Sequence, residues 1–199
     1  MDLFQASDTN LLPRNGVVNY HGRVLPDLEA ARYFTALMDS VPWKSDEVVI
    51  FGKRILTARK LAWYGDAGCD YTYSGTTKQA LLWSSALLDL KALAERLSGE
   101  SFNSCLLNLY HNGGEGMGWH SDDEREIVRD SAIASLSFGA ERRFVFRHKE
   151  TKEKVELVLE NGSLLVMKGE TQRFWQHQLP KAARVKTTRI NLTFRRMAK

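Results

Sequence analysis

The chain has 199 residues, of which 43% are hydrophobic and 26% charged, so it can form one globular domain with a sizeable core. Its formal net charge of +4 is compatible with binding nucleic acid but does not establish it. No apolar run approaches the ~20 residues of a membrane span and no basic segment opens a secretory signal, so we expect neither class of protein. Cys69 and Cys105 give no disulfide framework. We therefore expect a reduced protein of the cytoplasm.

The first part of the chain is predicted to be irregular, then helical, then extended. Residues 1–24 are mostly polar and are predicted to lack regular structure. A helix is predicted to begin at an N-cap at Asp27 and to reach about Asp39. Two β-prone runs, 48–51 and 54–57, flank a glycine-containing pair and predict a hairpin.

A long amphipathic helix is predicted next, from about Lys78 to Leu97, with Gly99 ending it. Its predicted buried stripe is apolar at helical spacing: Leu82, Ala86, Leu90, Leu93, Ala94 and Leu97. Further β-prone runs follow, at 104–110, 132–138, 142–148, 154–159, 163–168 and 188–195. Many short strands after helices predict a mostly β protein with some α, in which two packed sheets are braced by N-terminal helices.

His120-Ser121-Asp122 and the distant His177 form the pattern that is most informative about chemistry. In extended backbone, residues i and i+2 project to one face, so His120 and Asp122 can aim at one ion, and folding must bring His177 to it. Two imidazoles and one carboxylate that leave coordination positions open are typical of non-heme Fe(II) oxygenases. A solvated loop is the alternative, because a chain with five histidines and 24 acidic residues produces such a triplet by chance.

Residues 189–195 alternate strictly between polar and apolar side chains, which predicts a strand. Its polar face carries Arg189 and Arg195, whose guanidiniums suit the two carboxylates of a dianionic small molecule. An earlier strand likewise places Asn108 and Tyr110 on one face. A strand with its polar face in water is the alternative. Together with the metal pattern, a dicarboxylate clamp indicates an iron enzyme that uses 2-oxoglutarate.

Several motifs of the chain resemble, in order and at similar separations, those of the AlkB family of nucleic-acid demethylases, and in particular its DNA-repair branch. They are 62–65, 71–74, 108–110, 119–124, 133–140, 175–177 and 189–195. The similarity runs from about Pro42 to Arg196, most of the chain. It implies a double-stranded β-helix, or jelly roll, within a single domain at 25–199. The nucleotide-recognition region would lie at about 45–77 and the jelly-roll core at about 100–199.

The resemblance also implies site residues and cofactors. Fe(II) would be held by His120, Asp122 and His177, and 2-oxoglutarate by Asn108, Tyr110, Arg189, Asn191 and Arg195. With O₂ as the other co-substrate, the enzyme would remove N-methyl groups from bases such as 1-methyladenine and 3-methylcytosine in DNA, releasing formaldehyde, succinate and CO₂. The implied partner is single- or double-stranded DNA, or RNA, and we expect a monomer that does not bind membranes.

Six residues are candidates for contacts with the damaged base. Tyr71, Tyr73 and Ser74 match the family's nucleotide-recognition lid, with Tyr73 expected to stack opposite His120. The alternative for this segment is ordinary packing in the core or at a sheet edge. Asp123 and Glu124 follow the metal ligands and would read the base's exocyclic edge, unless they are merely exposed acids at the start of a helix.

Phe51 is the sixth candidate, because it lies at the predicted tip of a hairpin beside a glycine and basic residues. Apolar side chains in such positions fill the gap left by a flipped base. The related duplex-acting enzymes carry a similar motif, whereas residues 108–111 and 120–124 also resemble relatives that prefer single strands. A core phenylalanine is the alternative.

Basic residues occur in three stretches that could bind phosphates. They are Lys53, Arg54, Arg59 and Lys60; Arg142, Arg143, Arg147 and Lys149; and the seven basic residues between Lys181 and Lys199. Solvated faces are the alternative. For the whole protein, an iron and 2-oxoglutarate hydroxylase acting on RNA, protein or a small molecule is one alternative, and a non-catalytic nucleic-acid-binding jelly roll is another. The glycine-rich segment 112–118 is predicted to be a flexible loop entering the iron site.

Overall fold

The computed structural model describes the backbone of residues 9–50, 53–69, 71–73 and 76–198, and the side chains of those ranges except 46–50, 53–55, 71–73 and 76–78. The N-terminal elements are β1 (Val17–Arg23), α1 (Asp27–Ser40), β2 (Lys44–Ile50), β3 (Lys53–Gly65), β4 (Tyr71–Tyr73), β5 (Thr76–Lys78) and α2 (Ser85–Ser98). The C-terminal elements are β6 (Ser104–Tyr110), β7 (Met117–His120), β8 (Ile133–Gly139), β9 (Arg142–His148), β10 (Lys154–Leu159), β11 (Ser163–Lys168), α3 (Thr171–Phe174), β12 (Trp175–Leu179) and β13 (Arg189–Arg195). None of the helices in these described ranges combines the length and the apolar character that crossing a membrane requires.

Two sheets form the scaffold of the fold. The large sheet has the strand order β1-β11-β8-β13-β6-β3-β2, and the small sheet has the order β10-β9-β12-β7. Strands β11, β8, β13 and β6 of the large sheet line one cleft together with β9, β12 and β7 of the small sheet, as in a jelly roll. The predicted mostly β fold with a jelly-roll core and bracing helices is confirmed.

Alternation along β13 shows how the layers are built. Ile190, Leu192 and Phe194 are buried in the core that also contains the apolar faces of α1 and α2. The opposite face of the same strand therefore turns its polar residues toward the small sheet. A second core, which includes Phe146 and Trp175 of the small sheet, closes the space between the sheets away from those polar residues. The polar cleft is thus held between two packed apolar layers.

The prediction that residues 1–24 are irregular is wrong for β1. This strand pairs antiparallel with β11, from Val17 opposite Lys168 to Arg23 opposite Ser163, and extends the large sheet. Asn10 supports the pairing, because its Oδ1 accepts hydrogen bonds from the backbone N–H groups of Leu12 and Val18. Only Val18 and Asn19 of β1 are buried, so the strand needs few apolar residues. Hydrophobic patterning was therefore a poor signal for this strand.

Both predicted helices exist, with corrected starts. Pro26, not Asp27, is the N-cap of α1, since the Pro26 carbonyl accepts the first helical hydrogen bond, from Ala30. α2 begins at Ser85 because the Ser84 hydroxyl accepts a hydrogen bond from the Leu87 amide, and it ends at Gly99 in the left-handed conformation as predicted. Leu82 therefore precedes the helix and is 82% exposed, contrary to the predicted stripe.

The predicted hairpin is confirmed in its backbone. β2 pairs antiparallel with β3, and Ile50 lies opposite Lys53. Phe51 itself lies outside the described residues.

Candidate active site

The three predicted metal ligands come together on the small sheet. His120 ends β7 and lies directly opposite His177 of β12 in the antiparallel pair, and Asp122 follows two residues later. One ligand atom from each side chain lies within 4.8 Å of the ligand atoms of the other two. The pairing of β12 with β7 therefore brings His177, 57 positions after His120, to the other two ligands, as the sequence analysis required.

Both imidazoles are prepared to act as ligands. His120 Nδ1 lies 2.8 Å from the Gly118 carbonyl oxygen and donates to it in one tautomer, which leaves Nε2 for a metal. Burial, and after it the neighbouring His120, lowers the pKa of His177 to about 3, so this ring is neutral. A neutral imidazole is the form that binds a metal. His177 Nδ1 is buried and has no hydrogen-bond partner in the structure.

Asp122 is held from three sides. Its Oδ1 accepts a hydrogen bond of 2.7 Å from Arg195 Nη2, and its backbone N–H donates to Gln172 Oε1 at 2.9 Å. The preceding Ser121 hydroxyl donates to the Trp175 carbonyl oxygen. Burial opposes ionisation of Asp122, but Arg195 and the two histidine ligands outweigh it and lower its pKa. Two imidazoles and an anionic carboxylate fit Fe(II), and the arrangement leaves a side open toward the cleft.

The polar face of β13 and the ligand-bearing strands enclose one cleft between the sheets. Its lining includes every residue predicted to hold 2-oxoglutarate: Asn108, Tyr110, Arg189, Asn191 and Arg195. His120, Asp122 and His177 line the same cleft. Arg195 lies six positions after Arg189 along β13, so their Cα atoms lie ~20 Å apart. Arg195 belongs to the metal end of the cleft and Arg189 to the distal end.

Arg189 is suited to bind an anion at the distal end. Its Nη2 donates to the Ser137 hydroxyl at 3.0 Å, and its guanidinium lies 5.5 Å from the centre of the Tyr110 ring. Burial lowers the pKa of Arg189 to about 10, so the side chain remains cationic at neutral pH. Among the described residues, no carboxylate forms an ion pair with it. A dicarboxylate spanning the cleft would bring the missing negative charge.

Two amides of the cleft are oriented by hydrogen bonds. Asn108 Oδ1 accepts a hydrogen bond of 2.8 Å from Arg59 Nη1, which directs the amide nitrogen of Asn108 away from Arg59. Asn191 donates to the Ser135 hydroxyl and the Leu136 carbonyl oxygen. Its Nδ2 is therefore engaged within the large sheet, and a ligand in the cleft meets an amide that is already fixed.

The structure describes the side chains of only some of the residues proposed to contact the base. Asp123 is exposed, with its carboxylate 3.6 Å from Lys149 Nζ, while Glu124 is half-buried. Both line a second cavity of ≈ 410 Å³, whose lining also includes the metal-ligand residue Asp122. Tyr71 and Tyr73 belong to β4, which pairs with β5, but their side chains lie outside the described set. Ser74 and Phe51 lie outside the described residues altogether, so these roles stay predictions.

Four residues of the basic stretches predicted to bind phosphate are buried and therefore wrong for that role: Arg59, Arg142, Arg189 and Arg195. Arg59 and Arg142 are both buried, because the alternation of β3 and β9 turns them inward. Arg143, the neighbour of Arg142, is exposed and forms an ion pair with Glu156. Arg147 stacks its guanidinium 4.1 Å from the centre of the Trp119 ring. In the third stretch, Lys181, Arg184 and Lys186 are exposed in the segment between β12 and β13.

The glycine-rich segment is also more ordered than the flexible loop that was predicted. Residues 117–120 form β7, and Gly113 exchanges backbone hydrogen bonds with the segment after β12, donating to Val185 and accepting from Ala182. A Cβ atom at Gly113 would overlap the Ala182 carbonyl oxygen. Glycine is therefore required for close backbone packing rather than for mobility.

Comparisons with known proteins agree with this geometry. The family model of the 2OG-Fe(II) oxygenase superfamily matches residues 16–195. The mouse "DNA oxidative demethylase ALKBH2" is 41% identical over 180 residues, covering 85% of this chain and 75% of the relative. The bovine "Alpha-ketoglutarate-dependent dioxygenase alkB homolog 3" is 42% identical over 177 residues, covering 84% of this chain and 61% of the relative.

The fold is also similar to that of a solved structure. The structure of OsALKBH1 superposes with a TM-score of 0.61 at 14% identity, covering 93% of this chain and 98% of that one, which shows a shared fold. The human ALKBH2 enzyme is 44% identical, but the chain spans only 60% of its length. The metal triad, the dicarboxylate cleft and these matches agree: the chain belongs to the AlkB family of Fe(II)- and 2-oxoglutarate-dependent dioxygenases.

Proposed function

We propose that this enzyme removes N-methyl groups from bases in DNA by oxidation, as a direct-reversal repair enzyme. The observation that carries the proposal is the His120-Asp122-His177 centre at one end of a cleft whose other end presents Arg189 without a carboxylate partner among the described residues. Relatives similar over most of this chain are named DNA oxidative demethylases, which supports a methylated base as the substrate.

Each group of side chains has a separate task in the reaction. When bound, Fe(II) supplies the oxidising chemistry, in which O₂ and 2-oxoglutarate are consumed, succinate and CO₂ form, and the hydroxylated methyl group leaves as formaldehyde. Arg189 and Arg195 orient the dicarboxylate from opposite ends of the cleft. Phe144 and Leu179 are apolar parts of the lining and limit the entry of water.

Two carboxylates beside the metal centre would suit a cationic substrate. Asp123 and Glu124 lie beside Asp122, and their carboxylates would attract a base that carries a positive charge after methylation, such as 1-methyladenine or 3-methylcytosine. A base in a duplex must leave the stack to reach an enclosed metal centre. We assign its stacking to Tyr73 and His120, and the filling of the gap to Phe51.

The nucleic acid itself is proposed to bind as a polyanion. Lys181, Arg184 and Lys186 are exposed in the segment between β12 and β13, which adjoins the cleft at Leu179. These cations would contact phosphates on either side of the damaged base. We further propose that the enzyme acts as a monomer and in the compartment that holds the DNA, the cytoplasm of a bacterium or the nucleus of a eukaryote.

Methylated oligonucleotides test the proposal. The enzyme is incubated with Fe(II), 2-oxoglutarate and single- or double-stranded DNA carrying 1-methyladenine or 3-methylcytosine, and the strand is weighed by mass spectrometry. We expect loss of the methyl group that stops when a chelator is present. Demethylation of RNA alone would move the substrate to RNA. An oxidised peptide or metabolite with all oligonucleotides unchanged would contradict a nucleic-acid substrate.

A further inference from the structure

Arg142 is a buried cation at the distal end of the cleft that the reaction described above does not use. It is 2% exposed, although it begins β9 next to the fully charged and exposed Arg143. Alternation along the strand places Arg142 on the same face as Phe144 and Phe146. Phe144 lines the cleft, and Phe146 belongs to the core between the sheets. Arg142 therefore points into the space between the sheets.

One edge of the Arg142 guanidinium joins two segments of chain. Nη2 donates at 2.8 Å to the Glu115 carbonyl oxygen and at 2.8 Å to the Pro180 carbonyl oxygen. Glu115 belongs to the glycine-rich segment, and Pro180 opens the segment that leads to Arg189. Backbone hydrogen bonds around Gly113 connect the same two segments. Arg142 thus ties together the backbone that surrounds the distal end of the cleft.

The other edge of the same guanidinium has unused donors. Nε and Nη1 of Arg142 are buried and lack hydrogen-bond partners, and the same is true of Nε of Arg189. Buried N–H groups without acceptors are unfavourable, more so when charged, so these donors indicate a missing acceptor. The three donors belong to two guanidiniums that are close enough for the charge of Arg142 to affect Arg189.

Charge leads to the same conclusion. Burial lowers the pKa of Arg142, Tyr110 and Glu115 oppose the change, and the charge of Arg142 in turn contributes to the lowered pKa of Arg189. The Glu115 carboxylate is itself engaged by the backbone N–H and the ring Nδ1 of His111. In the part of the chain that the structure describes, no carboxylate forms an ion pair with either arginine. Two buried like charges favour the binding of an anion between or beside them.

We infer that Arg142 is a second cation of the subsite for the distal carboxylate of 2-oxoglutarate, where it supports Arg189 and Tyr110 and holds the surrounding segments in place. It acts as a positioning residue, because the cleft itself is lined by Arg189 and Tyr110. The inference rests on the use of 2-oxoglutarate and not on the nucleic-acid substrate. It predicts that Arg142 favours 2-oxo acids with a second carboxylate over those without one.

Two acids that differ in the distal carboxylate provide the test. The affinities of 2-oxoglutarate and of 2-oxobutanoate are measured by calorimetry on the protein loaded with Mn(II), which binds oxygen and nitrogen ligands without turnover. In Arg142→Met, we expect 2-oxoglutarate to bind ~10-fold more weakly, because a buried positive charge near its distal carboxylate is lost, and 2-oxobutanoate to bind as in the wild type. Arg143→Met, which removes the neighbouring exposed arginine, should change neither affinity. Arg189→Met is the positive control and should lose the same preference.

The ratio of the two affinities decides the outcome. An equal loss for both acids in Arg142→Met would overturn the inference, because it would show general support of the cleft, and so would no loss for either. If Arg142→Met does not fold, as judged by its melting temperature, Arg142→Gln carries the test. The glutamine loses the charge but keeps an N–H donor for the carbonyl oxygens, so we expect the preference for 2-oxoglutarate to fall ~10-fold as in the methionine variant, and a preference equal to that of the wild type would overturn the inference. If the wild type itself showed no preference for 2-oxoglutarate, the co-substrate assignment would fail rather than the role of Arg142.

Discussion

At the scale of single residues, Asp122 is both a metal ligand and the partner of a buried arginine. Its side chain and that of Arg195 are each 4% exposed, and their atoms are 2.7 Å apart. Removal of one member of a buried ion pair leaves the other charge in a poorly solvated site. The carboxylate therefore contributes to folding as well as to metal binding, and a substitution that deletes it does both kinds of damage.

Two substitutions of Asp122 separate those contributions. Asp122→Asn and Asp122→Ala should both abolish 2-oxoglutarate turnover and bound iron, because neither supplies an anionic ligand. In the metal-free protein, Asp122→Ala should destabilise the fold by ~3–5 kcal/mol, whereas Asp122→Asn should cost less since it retains an acceptor for Arg195. Urea unfolding and metal analysis measure the two effects. Full activity in either variant would refute the assignment of the ligand.

Arg59 offers a second prediction at this scale, because it orients Asn108 through one buried hydrogen bond. Arg59→Met should raise the KM for 2-oxoglutarate ~10-fold with a smaller effect on kcat. Lys60→Met, at the next position of β3, is the matched control. Combined with Asn108→Ala, Arg59→Met should add little further loss, because the two residues act through one contact. Independent, additive losses would show that Arg59 acts elsewhere.

Sequence reasoning predicted individual residues where the pattern was local or repeated. His120 and Asp122 followed from the two-residue period of a strand, and the arginines of 189–195 from alternation. Gln172 was not predicted as a support for Asp122, since its contact spans 50 positions and a glutamine carries no distinctive signal. Arg142 was misread as a surface cation because the period of β9 was not applied to it.

At the scale of elements, the hairpin of β2 and β3 carries the prediction about duplex DNA. Ile50 pairs with Lys53 in that hairpin, and Phe51, between them in the sequence, lies outside the described residues. If Phe51 fills the gap of a flipped base, Phe51→Ala should leave the melting temperature nearly unchanged and reduce repair of duplex DNA much more than repair of single strands. If it is instead a core residue, the variant should lose ~3–5 kcal/mol of stability and act poorly on every substrate.

The two repair rates and one melting curve distinguish these readings of Phe51. A loss that is equal on duplex and single-stranded DNA would reject the wedge.

The length of an element decided how well the sequence predicted it. β6 and β9 were predicted at their observed bounds, because each carries seven residues of β-prone sequence. β7 has only four residues, including a glycine, and was read as part of a loop.

At the scale of the whole molecule, the net charge is small and its distribution matters more. Exposed cations at Lys181, Arg184 and Lys186 lie beside a cleft whose metal side carries Asp123 and Glu124. Binding of a DNA strand should therefore weaken steeply between low and physiological salt, because each neutralised phosphate releases counterions. A filter-binding or fluorescence titration at several salt concentrations measures the slope. Affinity that is independent of salt, or equal turnover of the free methylated nucleobase, would contradict contacts with phosphates.

The global arrangement was predictable only through resemblance. Strand runs indicated two packed sheets, but the pairing of β7 with β12, which joins His120 to His177, follows from topology that no local period encodes. Burial of Arg59 and Arg142 likewise depends on which face of each sheet meets the other. Charge counted along the sequence therefore overstated the surface available to phosphate.

The most direct test of the central claim is the coupling between co-substrate and substrate. Succinate and repaired base are quantified in the same reaction on a DNA strand that carries one 1-methyladenine, with Asp122→Asn as the blank. An iron enzyme that oxidises the methyl group should form one succinate for each base repaired and neither product in the blank. Succinate without repair would show that this base is not the substrate, and repair without succinate would contradict the dioxygenase mechanism itself.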